Sequence, residues 1–526
     1  MTRFHKIGPL TGAYALALAA GLLSLLVSGA WAAGFSGADE PAHFLNSWFV
    51  ASYGTQALGE NPLAYATEYY LHYPKISIGH WPPAYYGLLA PFWWLLPATP
   101  ESAFGLNLFV SALPAIGIAA LLMRVEGRLA AMVGALFWAV TPLALEGQAF
   151  FMLDQALAAC GVAALLAWLE FAERQTWPRI LVFGGLAALA ILIKGNGWLV
   201  PLVPAFHMLL TGRWDLLRSL KLWVGAAAGA AAVVPWYWAT AGISSDGFNH
   251  TPGLAYAAEA LLFNLGALAE NVGLFGLLLA GFGFARGRAD PVAAGCLALI
   301  LATLALQSIV PVDLDARYMA PALPAVVVLI VTGVAELARL LPARAASAAA
   351  AGALLLLPGA AHLAAREPKA GFRMEEAAAL ATGDEAWLID GPTGAEGAFV
   401  AAMAVRDPAL ERYAVRASKL LSESNFMGSE YRLKFKDPGQ VAAELRRMGI
   451  AGVALARRRG FGEFAHSALL DAALARPGSG FRLAAELPHR GRPGTTRIYR
   501  AARPVAANVE AIRGLGLPQK ANLALK

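Results

Sequence analysis

The sequence predicts an α-helical polytopic membrane protein of about eleven transmembrane helices plus interfacial helices, followed by a small C-terminal α/β soluble domain. Three observations carry that prediction. Of 526 residues, 58% are hydrophobic and 14% charged, against roughly 45–50% and about 25% in soluble proteins. Such a chain cannot hide its apolar surface in one core, so its solvent is partly lipid. Apolar runs of helical length recur between residues 13 and 363. From about Arg366 they stop, and short strand-like pieces alternate with helical ones.

The first run, residues 13–33, follows Arg3 and Lys6 and ends in Ala30-Trp31-Ala32, which could pass for a signal-peptidase site. At roughly 21 residues it is long for a signal segment and right for a span, so an uncleaved first helix is expected. Further runs cover 104–123, 130–145, 155–171, 180–193, 198–210, 222–239, 261–284, 292–310, 319–335 and 345–363. Several fall short of the ~20 residues a span needs, so they must extend into flanking residues or be shielded by neighbours. The run 85–96 is too short and too rich in Trp and Pro to span, and reads as a helix along the interface, where aromatic side chains sit well. Asn264, Glu270 and Asn271 interrupt the run 261–284, whose first half is a candidate second interfacial helix.

The basic residues test this layout. With a cytoplasmic N-terminus, the inner loops hold Arg124, Arg128, Arg174, Arg179, Arg213, Arg218, Lys221, Arg286, Arg288, Arg339 and Arg344. The short outer loops hold only Lys75, Lys194 and Arg317. The excess of Lys and Arg, 41 against 35 acids, is therefore topological, and nucleic acid is not an expected partner. Cys160 and Cys296 each lie in an apolar run, so no disulfide framework follows. The expected organisation is a transmembrane domain over residues 1–365, with a first outer loop at 34–103, and an extracytoplasmic α/β domain over 366–526. In the latter, 386–389, 452–455 and 497–499 read as strands and 441–448 as a helix. The expected location is the inner (plasma) membrane.

This topology gathers charge on the outer face. Asp39 and Glu40 follow the first helix, His80 precedes Trp81-Pro82-Pro83, Asp154 begins the fourth span and Lys194 ends the fifth. Asp313, Asp315 and Arg317 lie between the ninth and tenth. Charges beside hydrocarbon are costly, so helix ends of this kind facing one compartment point to function. A lysine and an arginine at the membrane surface can stabilise a phosphate leaving group as its charge develops. A carboxylate can deprotonate an attacking hydroxyl. Sugar transfer from a polyprenyl-phosphate carrier needs both.

At these residues the sequence resembles the C-type glycosyltransferase fold family, in the branch of protein O-mannosyltransferases and lipid A aminoarabinose transferases. Asp39-Glu40 is similar to its acidic pair. His80-Trp81-Pro82-Pro83-Ala84-Tyr85-Tyr86 is similar to its Lys-Pro-Pro-x-Tyr-Tyr segment, with Trp81 where the lysine is expected. Met152-Leu153-Asp154 is similar to its second acidic motif, Ile193-Lys194-Gly195 to its Lys-Gly motif, and Pro235-Trp236-Tyr237 and Arg317-Tyr318 also fit. The series runs from Asp39 to Pro324 and leaves out the C-terminal domain. The resemblance implies a polyprenyl-phosphate sugar donor, a cell-envelope acceptor, Asp39 as base, and Glu40 as its neighbour or an acceptor contact. It further implies Lys194 and Arg317, with His80, as donor-phosphate contacts, and Asp154, Tyr85 and Tyr318 as further active-site candidates. It implies no obligatory metal or other cofactor, while leaving a divalent metal open.

Each residue also has an ordinary reading. Asp39 and Glu40 could be a solvated helix end, Asp154 a helix cap, Lys194 a side chain reaching for headgroups, and His80 a satisfied turn histidine. Gly391-Pro392-Thr393-Gly394 lacks phosphate-loop spacing and reads as a turn. A transporter or lipid flippase would share the many spans, but it tends to show repeats or helices broken at mid-membrane, and neither is read here.

Overall fold

The computed structural model describes residues 4–77, 79–244, 248–341, 344–424, 430–458 and 464–515. Every apolar run becomes helical. Among the described residues, eight helices are long and apolar enough to cross a membrane, or nine if the pair Arg128–Ala139 and Pro142–Ala149, bent by 62°, is one span. Two of the eleven expected runs form helices below that length. Trp177–Ile193 has only 17 residues. The run after it is a 3-10 turn, Gly195–Leu202, and then the nine-residue helix Val203–Thr211. Pro201 sits within the 3-10 turn, where a proline removes a helical hydrogen bond and crowds the preceding turn, and Pro204 lies in the first turn of the helix that follows, where its missing N–H is tolerated.

The first run is the helix Phe4–Val27 followed by Ala30–Ala33. The aromatic run lies in Ala84–Leu89 and the 3-10 turn Ala90–Trp94, neither of them a span. The run 261–284 belongs to one 34-residue helix, Leu254–Gly287, broken at Gly273 with φ 72°. Glycine adopts that angle without a Cβ clash, so the interruption read in the sequence is a kink. Beyond it the helix packs closely on Leu323–Leu340. A Cβ on Gly333 would stand 2.1 Å from the Leu279 carbonyl oxygen, and one on Gly283 would stand 2.2 Å from that of Leu329. Small residues let backbones approach this closely where lipid gives no hydrophobic drive between helices.

Ahead of that aromatic run, the same loop carries the helices Glu40–Gln56 and Pro62–His72. Above it lies the soluble domain, with strands β1 (Ala386–Asp390), β2 (Tyr413–Arg416), β3 (Ser422–Glu423), β4 (Arg432–Leu433), β5 (Ile450–Arg458), β6 (Phe481–Pro488) and β7 (Gly494–Ala501). Five form one sheet in the order β2-β1-β5-β7-β6, with β1 parallel to β2 and β5, and β7 antiparallel to β5 and β6. Strands β3 and β4 pair separately. The helix Pro438–Arg447 stands where one was expected. One apolar cluster joins Phe35 and Phe44 of the outer loop, Phe104 and Phe151 of the bundle, and Trp387 and Phe399 of the soluble domain. The soluble domain is thus packed into the head of the bundle.

Candidate active site

Four separate elements meet at that head. Asp39 immediately precedes Glu40–Gln56 and makes no side-chain cap bond to the helix, so its carboxylate is available to a distant partner. That partner is Arg317, held in the 3-10 turn Ala316–Met319, whose Nη1 stands 3.2 Å from Asp39 Oδ2. Asp315 aims the arginine: one oxygen accepts from the Arg317 backbone N–H at 3.0 Å, and the other lies 2.7 Å from its Nε. Asp154 begins Asp154–Glu173, and Lys194 closes Trp177–Ile193 in an extended conformation. Lys194 Nζ stands 2.6 Å from Asp154 Oδ1, with the two side chains 12% and 6% exposed. The other oxygen, Asp154 Oδ2, is buried without a hydrogen-bond partner. Tyr318 links the two pairs, its ring centroid 4.8 Å from Lys194 Nζ and 5.7 Å from the Arg317 guanidinium carbon.

The structure therefore brings together Asp39, Asp154, Lys194, Arg317 and Tyr318. With Asp315, three carboxylates and two cations meet at one end of the helix bundle. Burial alone would push the Asp39 carboxyl up, but the His43 imidazole, Arg317 guanidinium and Lys75 ammonium outweigh it and hold the group below its ordinary 3.8. Asp39 thus stays ionised across the physiological range.

Glu40 departs from the expected pairing. It is fully buried, and its Oε2 accepts from the backbone N–H groups of Ser36 and Gly37 at 2.9 and 2.7 Å. Its Oε1 accepts from the Phe151 N–H at 2.9 Å and from Lys369 Nζ at 2.6 Å. Those four donors leave it a structural carboxylate beneath the Asp39 turn, where no acceptor reaches it. Tyr85 is likewise buried, beside Phe151 and Tyr86, its hydroxyl unpartnered. His80 is half-buried in the turn before Trp81. Trp81 itself packs 4.4 Å from the His43 ring, and His43 Nδ1 lies 2.9 Å from the Tyr86 hydroxyl.

Sequence reasoning missed three residues here. His43 stands one helical turn after Asp39 and could have been found by that spacing. Lys75 is a basic residue of a short outer loop, and burial together with Arg416 pulls its ammonium down to about 8. Lys369 carries no local signal at all. Asp313, which lies two residues before Asp315, instead meets Asn249. Among the described residues no group of three His, Cys, Asp or Glu could hold a metal ion.

Known proteins share this fold. The family model described as dolichyl-phosphate-mannose-protein mannosyltransferase matches residues 82–238. The fold is similar to that of ArnT from Cupriavidus metallidurans in the apo state, at TM-score 0.60 and 14% identity, over 98% of this chain and 99% of that one. The same protein bound to undecaprenyl phosphate aligns at TM-score 0.58 and 13% identity, over 92% and 97%. The archaeal oligosaccharyltransferase AglB from Archaeoglobus fulgidus, in complex with an inhibitory peptide and a dolichol-phosphate, aligns at TM-score 0.50 and 11% identity, over 84% of this chain and 69% of that one. No curated protein matches. The likeness to ArnT runs through the soluble domain, which the motif series left out.

Proposed function

From a chain that carries the C-type glycosyltransferase fold, we propose an enzyme that moves a sugar from a polyprenyl-phosphate carrier to a cell-envelope acceptor at the outer face of the inner membrane. The observation that carries this reading is the convergence of Asp39, Asp154, Lys194 and Arg317 from four elements at one end of the bundle. A transporter needs its charges near the membrane midplane, whereas these lie at helix ends.

The chemistry follows from the groups. An acceptor hydroxyl attacks the anomeric carbon, and its proton passes to Asp39, which is ionised and one helical turn from His43. The bond between that carbon and the phosphate oxygen breaks, and the electron pair leaves on the polyprenyl phosphate. Lys194 and Arg317 take up the growing charge. To do so each must loosen a carboxylate it holds in this state, Asp154 for Lys194 and Asp39 for Arg317. Incoming phosphate thus frees Asp39 at the moment a base is needed. The unpartnered Asp154 Oδ2 suits a hydroxyl of the sugar. The catalytic carboxylate is then Asp39 alone, with Glu40 in support.

The test is transfer of labelled sugar from polyprenyl-phosphate donors to acceptor in liposomes, wild type against Asp39→Asn at equal insertion. Loss of product in the variant supports the reading, and equal labelling by both proteins overturns the assignment of Asp39. Since two side-chain cations supply the charge, we also expect transfer to continue at an unchanged rate in excess chelator; a lost rate restored by a divalent cation would refute that part.

A further inference from the structure

The buried partner of Glu40 comes from far along the chain. Lys369 lies in the link between the last membrane helix, Arg344–Ala365, and the soluble domain. Its Nζ is 2.6 Å from Glu40 Oε1 and 3.0 Å from the Ala149 carbonyl oxygen, and 4.3 and 4.6 Å from the ring centroids of Phe104 and Phe150. The lysine side chain is 3% exposed and the glutamate 0%. The Lys369 backbone N–H donates to the Ser28 carbonyl at 3.2 Å, and two residues on Gly371 exchanges backbone bonds with Arg490 of the soluble domain at 2.9 Å. The link is therefore seated on the end of the first helix at one side and on the soluble domain at the other.

What Glu40 does with its other lone pairs gives this contact its consequence. It gathers the N–H groups of Ser36, Gly37 and Phe151, and so closes the turn that ends in Asp39 and ties it to the segment leading to Asp154. A carboxylate out of water performs this only while its charge is matched. We propose that Lys369 is a positioning residue for sugar transfer: by neutralising buried Glu40 it fixes the Ser36-to-Asp39 turn, and with it the Asp39 carboxylate. The soluble domain is then a structural part of the active site through its first residues. This inference rests on Asp39 being the base.

The test uses the full chain in liposomes with Lys369→Met, alone and combined with Glu40→Gln. A misplacement of about 1 Å costs on the order of 10²-fold in rate, so Lys369→Met should lower kcat about that much at neutral pH and leave KM for donor and acceptor nearly unchanged. The double variant, whose amide oxygen can accept from Ser36 and Gly37 without a buried charge, should recover kcat at neutral pH.

Hydrogen exchange at the Ser36, Gly37 and Phe151 amides reads the strut itself. Protection should fall in Lys369→Met at neutral pH and return at Ser36 and Gly37 in the double variant. Unchanged protection in Lys369→Met overturns the proposal, whatever happens to the rate. Lost protection with an unchanged kcat overturns it too, since the turn would then not govern Asp39. If wild type transfers no sugar from any donor, the proposed function fails, while lost protection would still establish the strut.

Discussion

The two ends of the helix bundle both carry ion pairs, but only one end holds pairs buried on both sides, beside an Arg317–Asp39 pair whose side chains stay 31% and 33% exposed. At one end Arg124 meets Glu170 at 2.8 Å, Arg339 meets Glu126 at 2.6 Å, and Arg286 meets Glu336 at 3.4 Å. The three arginines are 30%, 52% and 53% exposed. Such pairs contribute about 0–1 kcal/mol, because water screens them and long side chains lose freedom in forming them. At the other end Lys194 and Asp154 are 12% and 6% exposed, and Lys369 and Glu40 are 3% and 0%. Breaking one partner of a buried pair costs about 3–5 kcal/mol, since the other charge stays uncompensated. Helix ends alternate between the two surfaces, so topology supplies charge to both. Only the packing of the outer loop and soluble domain over one of them turns that charge into a site.

The contrast can be broken in stages. Its largest effect falls on Asp39→Asn, which removes the base and should reduce kcat by on the order of 10²–10⁴-fold without changing the amount of inserted protein. Next come Lys194→Met and Arg317→Met, each expected to lower kcat by about 10²–10³-fold. Single-turnover kinetics with labelled donor checks this, and a loss confined to KM would move both residues out of leaving-group stabilisation. A smaller effect is expected at Lys75. Asp39 is held below 3.8 partly by that ammonium, so activity is lost only as pH falls through the lowered value. Lys75→Gln removes a positive charge and should move the acid limb of the pH–rate profile upward; an unmoved or lowered limb would count against the coupling. The smallest effect is at the opposite end, where Arg124→Ala should leave the rate unchanged and shift stability by no more than about 0.5 kcal/mol, measured by denaturation in detergent.

Much of the site was legible because its residues are marked by position along the chain. Asp39, Asp154, Lys194 and Arg317 each interrupt or end an apolar run, where a charge is costly enough to need a reason. Counting such ends by alternation put them on one surface before any coordinates. Asp39-Glu40 shows where that reasoning stops. Two adjacent carboxylates in one motif look alike in sequence, yet one faces Arg317 and the other is sealed under the turn by Lys369, 329 positions away. Nothing local to either residue encodes that separation. The form of one stretch was hidden for a related reason: residues 180–210 are apolar throughout most of their length, but the helix ends at an extended Lys194 and continues only as a 3-10 turn and a nine-residue helix.

What the sequence by itself determined is the solvent of each segment. Apolar length and order dictate which segments suit lipid and where the long apolar helices stop, because transfer free energy is a property of composition and order. What only the tertiary structure decided is which charge faces which. Pairing Arg317 with Asp39, Lys194 with Asp154 and Lys369 with Glu40 depends on distances of 2.6 to 3.2 Å between residues 40 to 329 positions apart. Those distances are set by the packing of the whole head of the bundle, and a linear pattern carries no record of them.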